Sequence, residues 1–212
     1  MARHQIVNDA VTPRLFKNNL IEKLSHVHPA IPVIIYAPVI SYFFYVGISS
    51  GALNFYQVIL LFVSGVFFWT FTEYVIHRFA FHYEPTTSFG KYLIFLVHGI
   101  HHDYPRDPLR LVMPPVVSIP LAILFYWLFI RLMGSAITPA FFSGFVAGYL
   151  AYDMIHYATH HASLKDRKVW LWVKHHHIRH HYQDEHTGYG VSSPLWDIIF
   201  RTMPPKIERK TR

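Results

Sequence analysis

F-Y-Q-V-I-L-L-F-V-S-G-V-F-F-W-T-F-T-E-Y-V-I-H-R-F-A-F-H, residues 55–82, is the stretch that decides the fold. From Phe55 to Thr72 it carries no charge, and roughly 20 mainly apolar residues in a helix are enough to cross a hydrocarbon layer. It then runs into Glu73, His77 and His82. One segment thus demands an apolar solvent along most of its length and polar chemistry at its end. Three more blocks have the same character: Ala30 to Ile48, Leu111 to Ile130, and Pro139 to about Ala158. The pattern predicts an all-α, multi-pass membrane protein with four transmembrane helices. Pro32 and Pro38 in the first block, and Pro114, Pro115 and Pro120 near the start of the third, would disrupt a water-exposed helix, but neighbouring helices can repair them in a bilayer.

The composition agrees. Of 212 residues, 52% are hydrophobic and only 15% charged, which excludes a disordered chain. Cysteine is absent, so there are no disulfides or thiolate ligands, and any bound metal must be held by nitrogen and oxygen. Residues 1–29 read as a polar, basic arm without a cleavable secretory signal, and 30–212 as the membrane domain. Two shorter apolar segments, 90–98 and 194–203, are predicted to lie at the interface. In the second, Trp196, Ile199, Phe200 and Met203 alternate with Asp197 and Arg201 as in an amphipathic helix.

Lys and Arg outside the spans set the orientation, because they accumulate in cytoplasmic loops. The arm has Arg3, Arg14, Lys17 and Lys23, the connection from Ser49 to Asn54 has none, and the middle loop has Arg78, Lys91, Arg106 and Arg110. Ten more follow the fourth block. Both termini and the middle loop are therefore predicted to be cytoplasmic, in the inner membrane of a bacterium or the endoplasmic reticulum of a eukaryote.

The chain has 17 histidines, and fourteen of them fall on that same side. His98, His101 and His102 have the spacing H-x-x-H-H, which recurs at His177, His180 and His181. Residues three and four apart share a helix face, so each box is expected to converge on one point. His156 and His160 form a facing pair, whereas His77 and His82, five apart, do not stack on a straight helix, so one is expected beyond the helix end. A single histidine beside an apolar helix is usually a hydrogen-bonded core residue; two repeated boxes and two pairs on one membrane face are a metal site. A metal ion rarely takes more than about six protein ligands, so ten imidazoles imply two metals, or one metal with an outer ring of imidazoles; two are expected. His176 with His180 is also a four-residue pair, and only the repeat favours His177. His161, His175, His176 and His186 are read as hydrated or outer imidazoles, and His4, His26 and His28 as surface residues of the arm.

Neutral imidazoles cancel no charge, so nearby carboxylates are expected to support them. Glu73, one turn before His77, and Asp153, three residues before His156, are the candidates; Asp103 and Asp107 read as turn caps or partners of Arg106 and Arg110. Imidazole suits iron, zinc and copper alike. A dimetal site facing lipid has no structural purpose that the bilayer does not already serve, so redox chemistry on a lipid is the expected use. A metal transporter or sensor would instead place ligands near the bilayer midplane.

The motifs H-R-F-A-F-H (77–82), H-G-I-H-H-D-Y-P-R-D-P-L-R-L-V-M-P-P (98–115), Y-D-M-I-H-Y-A-T-H-H (152–161), H-I-R-H-H-Y (177–182) and T-G-Y-G-V-S-S-P-L-W-D-I-I-F (187–200) resemble the integral-membrane fatty acid hydroxylase superfamily. The L-R-L-V-M-P-P segment is most similar to the fatty acid 2-hydroxylase branch; histidine boxes alone are also found in sterol and carotenoid hydroxylases and desaturases. The resemblance implies a helical cytoplasmic cap, O2-dependent hydroxylation next to the acyl carbonyl of a fatty acid or sphingolipid, and His77, His82, His98, His101, His102, His156, His160, His177, His180 and His181 as metal ligands. Iron is expected for activity, and zinc could fill the site in a purified sample. Members often carry a cytochrome b5 domain that 29 residues cannot hold, so a separate donor is expected, either cytochrome b5-like or a ferredoxin with its reductase. The net charge of +7 suits an acidic carrier or anionic lipid and is not assigned to nucleic acid. Arg106, Arg110, Lys174 and Tyr182 are candidates for the substrate head group.

Overall fold

The computed structural model describes residues 7, 11–163 and 166–205, and among these the chain is helical with no strand. Its elements are α1 (Asn19–Leu24), α2 (Ala30–Ser49), α3 (Phe55–Ile76), α4 (Ser88–Ile94), α5 (Ile100–Asp103), α6 (Pro115–Met133), α7 (Thr138–His161), α8 (Lys168–Tyr182) and α9 (Leu195–Ile199). Two wide π-helical turns extend these elements, His77–Phe81 after α3 and Phe95–Gly99 between α4 and α5. Arg3 and His4 lie outside the described residues.

Among the described residues, three helices are long and apolar enough to cross a membrane: Ala30–Ser49, Phe55–Phe81 and Pro115–Met133. The block from 139 to 158 forms α7, of 24 residues, the most enclosed of the long helices. α2 and α6 bury few residues and turn apolar side chains outward, as helices against lipid do. α7 buries residues on every face among α2, α3 and α6, and this shields its Ser143, Tyr149, Asp153 and Thr159.

Close backbone approach makes α7 the hub. A Cβ on Gly144 would lie 1.9 Å from the Phe62 carbonyl oxygen, and one on Gly65 2.1 Å from that of Phe141. Small residues at such crossings are how membrane helices gain packing where water provides no hydrophobic drive. Above the crossing, Trp69 packs edge-on against Phe145 and Tyr149, with ring centroids 5.1 and 5.2 Å apart. Asn54 and Gln57 form a reciprocal capping box at the start of α3.

Two expectations need correction. The third helix starts at Pro115 rather than Leu111, because a residue before proline is driven out of the helical region and Pro114 sits at φ −61°, ψ 141°. The segment 194–203, expected to be one amphipathic interfacial helix, is not helical throughout and does not turn both its charged residues outward. Only Leu195–Ile199 is helical, Asp197 is fully buried, and Leu195, Ile198, Ile199 and Phe200 are exposed.

The arm is docked on the middle loop. Thr12 donates from its backbone N and Oγ1 to Asp107 Oδ2, both at 2.9 Å. Glu22 of α1 pairs with Arg110 at 2.5 Å, and Val27 N donates to Leu109 O at 2.7 Å.

Candidate metal centre

Ten imidazoles gather around the C-terminal ends of α3 and α7 in two adjoining groups of five. His77, His82, His98, His102 and His180 form the first, and His101, His156, His160, His177 and His181 the second. Within each group the ligand nitrogens all lie within 4.8 Å of one another. The groups touch where the His102 and His181 rings stack, 4.2 Å between centroids.

Local helix geometry explains the sorting. Positions three and four apart each share a face with the first residue, yet adjacent positions point about 100° apart around a helix of 3.6 residues per turn. His98 and His102 therefore serve the first group while His101 serves the second; likewise His177 and His181 serve the second while His180 serves the first. This corrects the expectation of one point per box: each box feeds both groups. The five-residue spacing of His77 and His82 has its own solution. The π-helical turn closes with His82 N donating to His77 O at 3.2 Å, which brings both rings to one side. Such wide turns recur at functional sites.

The nitrogens are spaced for cations. Facing Nε2 atoms are 3.0 Å apart for His77 and His98, 2.9 Å for His98 and His102, and 3.0 Å for His82 and His180. In the second group the separations are 2.9 Å for His101 and His156, 2.9 Å for His160 and His177, and 3.0 Å for His177 and His181. At a metal–nitrogen distance of about 2.1 Å, ligands at right angles sit about 3.0 Å apart and opposite ligands about 4.2 Å. Both groups match, so each could bind a metal ion. Two tautomers support this. His77 Nδ1 donates to Tyr189 O at 2.5 Å and His180 Nδ1 to Thr187 O at 2.8 Å, leaving their Nε2 lone pairs aimed into the cluster.

Burial pushes the pKa of His98, His101, His102, His177, His180 and His181 well below the ordinary 6.5, and neighbouring imidazoles push in the same direction. These rings are thus neutral and able to ligate.

The remaining candidates are placed as follows. His176 Nε2 bonds Asp197 Oδ2 at 2.9 Å and belongs to neither group. His161 packs on Tyr157, His175 is exposed, and His186 Nε2 is 4.0 Å from Glu84 Oε1. His26 Nδ1 contacts Glu22 O, and His28 Nδ1 accepts from Ala30 N. Glu73 accepts from Val191 N, Ser192 N and Ser192 Oγ, and Asp153 from Met113 N at 3.3 Å and Tyr149 Oη at 3.5 Å. Asp107 caps Leu109 N at 2.9 Å. Asp197, read in the sequence as a polar position of an amphipathic interfacial helix, is a buried hub. Burial raises its carboxyl, but hydrogen bonds from His176, Thr202 and Gly190 outweigh this and hold its pKa below the usual value.

A cavity of about 520 Å³ adjoins the clusters, with His98 of the first and His101 and His156 of the second in its wall. Leu15, Phe16, Ile21 and Leu24 of the arm close one side. Phe81, Met113 and Tyr152 line both this cavity and a smaller one of about 40 Å³ among the membrane helices. Of the four head-group candidates only Arg110 lines the cavity, bonded to Glu22 and to Ser25 Oγ. Arg106 and Tyr182 are exposed, and Lys174 Nζ donates to Ala162 O.

A fatty acid hydroxylase family model matches residues 62–202, which include all ten imidazoles. The chain belongs to the fatty acid hydroxylase family. It is 37% identical over 202 residues to the dihydroceramide fatty acyl 2-hydroxylase FAH1 of Arabidopsis thaliana, covering 95% of this chain and 84% of that one. It is 35% identical over 224 residues to the fatty acid 2-hydroxylase of Homo sapiens, covering 96% of this chain and 59% of that one. A solved structure of full-length scs7p, in which only the hydroxylase domain is visible, superposes with a TM-score of 0.84 at 36% identity, covering 89% of this chain and 71% of that one.

Proposed function

We infer that the chain is a membrane-bound, dimetal, oxygen-dependent lipid hydroxylase that adds a hydroxyl at carbon 2 of a fatty acid or of the acyl chain of a ceramide. One observation carries this: an apolar cavity about 520 Å³ in volume has imidazoles of both clusters in its wall. An acyl chain lying there is in reach of both sites. The 2-hydroxylase names of its relatives support the position of attack.

The ten histidines hold the two ions. Bound iron would supply the oxidising chemistry: with O2, two electrons from a separate cytochrome b5-like or ferredoxin-type donor and two protons, one oxygen atom enters the C–H bond and the other leaves as water. The imidazoles accept zinc equally well, and zinc has no redox chemistry, so a zinc-filled sample is expected to be inactive. Phe81, Met113 and Tyr152 guide the tail toward the membrane core, and Arg110, fixed by Glu22 and Ser25, orients the head group. The arm residues Leu15, Phe16 and Leu24 exclude water from the reacting end.

We assign α7 as the fourth span: its neighbours screen its polar side chains from lipid, so it needs less apolar surface than α2 or α6. With four crossings, the distribution of Lys and Arg supports a cytoplasmic location for the termini and both clusters. The test is expression in a host that lacks 2-hydroxy lipids, followed by lipid analysis, with His101→Ala as the inactive control. Absence of 2-hydroxy acyl product from folded, iron-loaded protein with a competent reductant overturns the reading.

A further inference from the structure

Residues 187–202 fold back over the first cluster as a clasp, and buried carboxylates fix it. Asp197 accepts from Tyr189 N at 2.9 Å, Gly190 N at 2.7 Å and Thr202 Oγ1 at 2.7 Å, and pairs with His176 Nε2 at 2.9 Å. Glu73 holds the next two residues through Val191 N at 3.0 Å and Ser192 N at 2.9 Å. Gly188, at φ +74°, makes the turn and donates from its N to Thr202 O at 2.7 Å. A Cβ at Gly190 would meet Ser193 O at 2.2 Å and Asp197 Oδ2 at 2.9 Å, so a bare backbone is needed for this close approach.

The clasp presents two carbonyls, Tyr189 O and Thr187 O, to the Nδ1 atoms of His77 and His180. Both imidazoles belong to the first cluster. A carbonyl on Nδ1–H fixes ring orientation and tautomer and raises the basicity of the ligating nitrogen; losing such a partner typically costs about 10- to 100-fold in metal affinity. The second cluster is built differently: the Nδ1 atoms of His177 and His181 are buried and make no hydrogen bond.

We propose that Asp197 is a positioning residue for the first cluster, acting through the clasp carbonyls on His77 and His180, and that the two clusters consequently hold their ions unequally, the first more tightly. This rests on the metal-centre reading above and adds an order to it.

The experiment uses the full chain in detergent, loaded with zinc and then challenged with excess chelator, and counts the metal left per chain over time. The wild type starts with two ions and releases them in two phases of one each. His160→Ala abolishes the fast phase and His82→Ala the slow one, assigning them to the second and first clusters. Asp197→Asn accelerates the slow phase about 10- to 100-fold and leaves the fast phase unchanged. Thr202→Val, which removes one bond to Asp197 together with the Oγ1 contact to Tyr74 Oη, accelerates it less, and Thr202→Ser, which keeps both, restores the wild-type rate; this pair decides the matter if Asp197→Asn does not fold. Asp107→Asn, a buried carboxylate that instead anchors the arm, leaves the slow phase unchanged. Single-phase release from the wild type, slow release from the second cluster, or equal effects of the Asp197 and Thr202 variants on both phases overturns the inference alone. A wild type that takes up no zinc removes the metal-centre reading as well.

Discussion

Gly144→Ala tests whether the α3–α7 crossing positions the metal centre. The added Cβ would sit 1.9 Å from Phe62 O and 2.6 Å from Phe62 C, whereas ordinary contact begins at 3.4 Å, so the helices must separate by about 1.5 Å. The obstacle is backbone, and no rotamer change relieves it. Overpacking of this kind costs about 3 kcal/mol, or about 6–12 °C in melting temperature for a chain of this length. The separation also propagates: α3 leads to His77 and His82, and α7 carries His156 and His160. A shift of about 1.5 Å exceeds the roughly 0.5 Å tolerance of a preorganised site, so metal content and hydroxylation fall together with stability. Gly47→Ala, whose Cβ would lie 3.1 Å from Ala140 Cβ and 3.3 Å from the Ala140 backbone Cα and N, needs only a few tenths of an ångström of give; it is the matched control and is expected to cost less than about 1 kcal/mol. Thermal unfolding in detergent with parallel metal analysis reads both quantities. A Gly144→Ala protein that melts with the wild type and keeps its full metal content refutes the reasoning.

Other outcomes follow from the same geometry. His101→Ala and His102→Ala, neighbours in one box, each reduce bound metal from about two ions to about one, but from different clusters, so the double variant binds about none; equal loss of both ions in either single variant contradicts the sorting. Arg110→Met raises KM about tenfold with a smaller change in kcat, because a charged hydrogen-bonding group that orients substrate is lost; an unchanged KM for 2-hydroxylation removes the head-group role. Acidification releases metal and lowers stability. Six of the ten cluster imidazoles, His98, His101, His102, His177, His180 and His181, have folded-state pKa values below the unfolded 6.5, so the stability they support is complete above that value. It is lost as pH falls, because the unfolded chain takes up protons that the native one refuses. Metal retention that stays flat between about pH 7.5 and 5 contradicts this.

The apolar blocks and the spacing of ten histidines were legible because both are local: helix length and period follow from neighbours in sequence. The π-helical turn at His77–Phe81 was visible only as an awkward spacing of five, since no residue in H-R-F-A-F-H specifies a wide turn without the cluster that rewards it. The partition of each H-x-x-H-H box lay within reach of helix geometry, because His101 and His102 cannot point the same way. Asp197 was misread for a different reason. In sequence it interrupts an apolar run like a polar face, and only the fold brings Tyr189, Gly190, His176 and Thr202 around it. The arm's part in the cavity is equally non-local: Glu22 and Arg110 are 88 residues apart, and nothing near either one announces the other.

Anomalous diffraction from crystals of the iron-loaded chain addresses the central claim most directly. Two peaks are expected, each about 2.0–2.2 Å from Nε2 atoms, one among His77, His82, His98, His102 and His180 and the other among His101, His156, His160, His177 and His181. A single peak, or ions bound away from these rings, would contradict it.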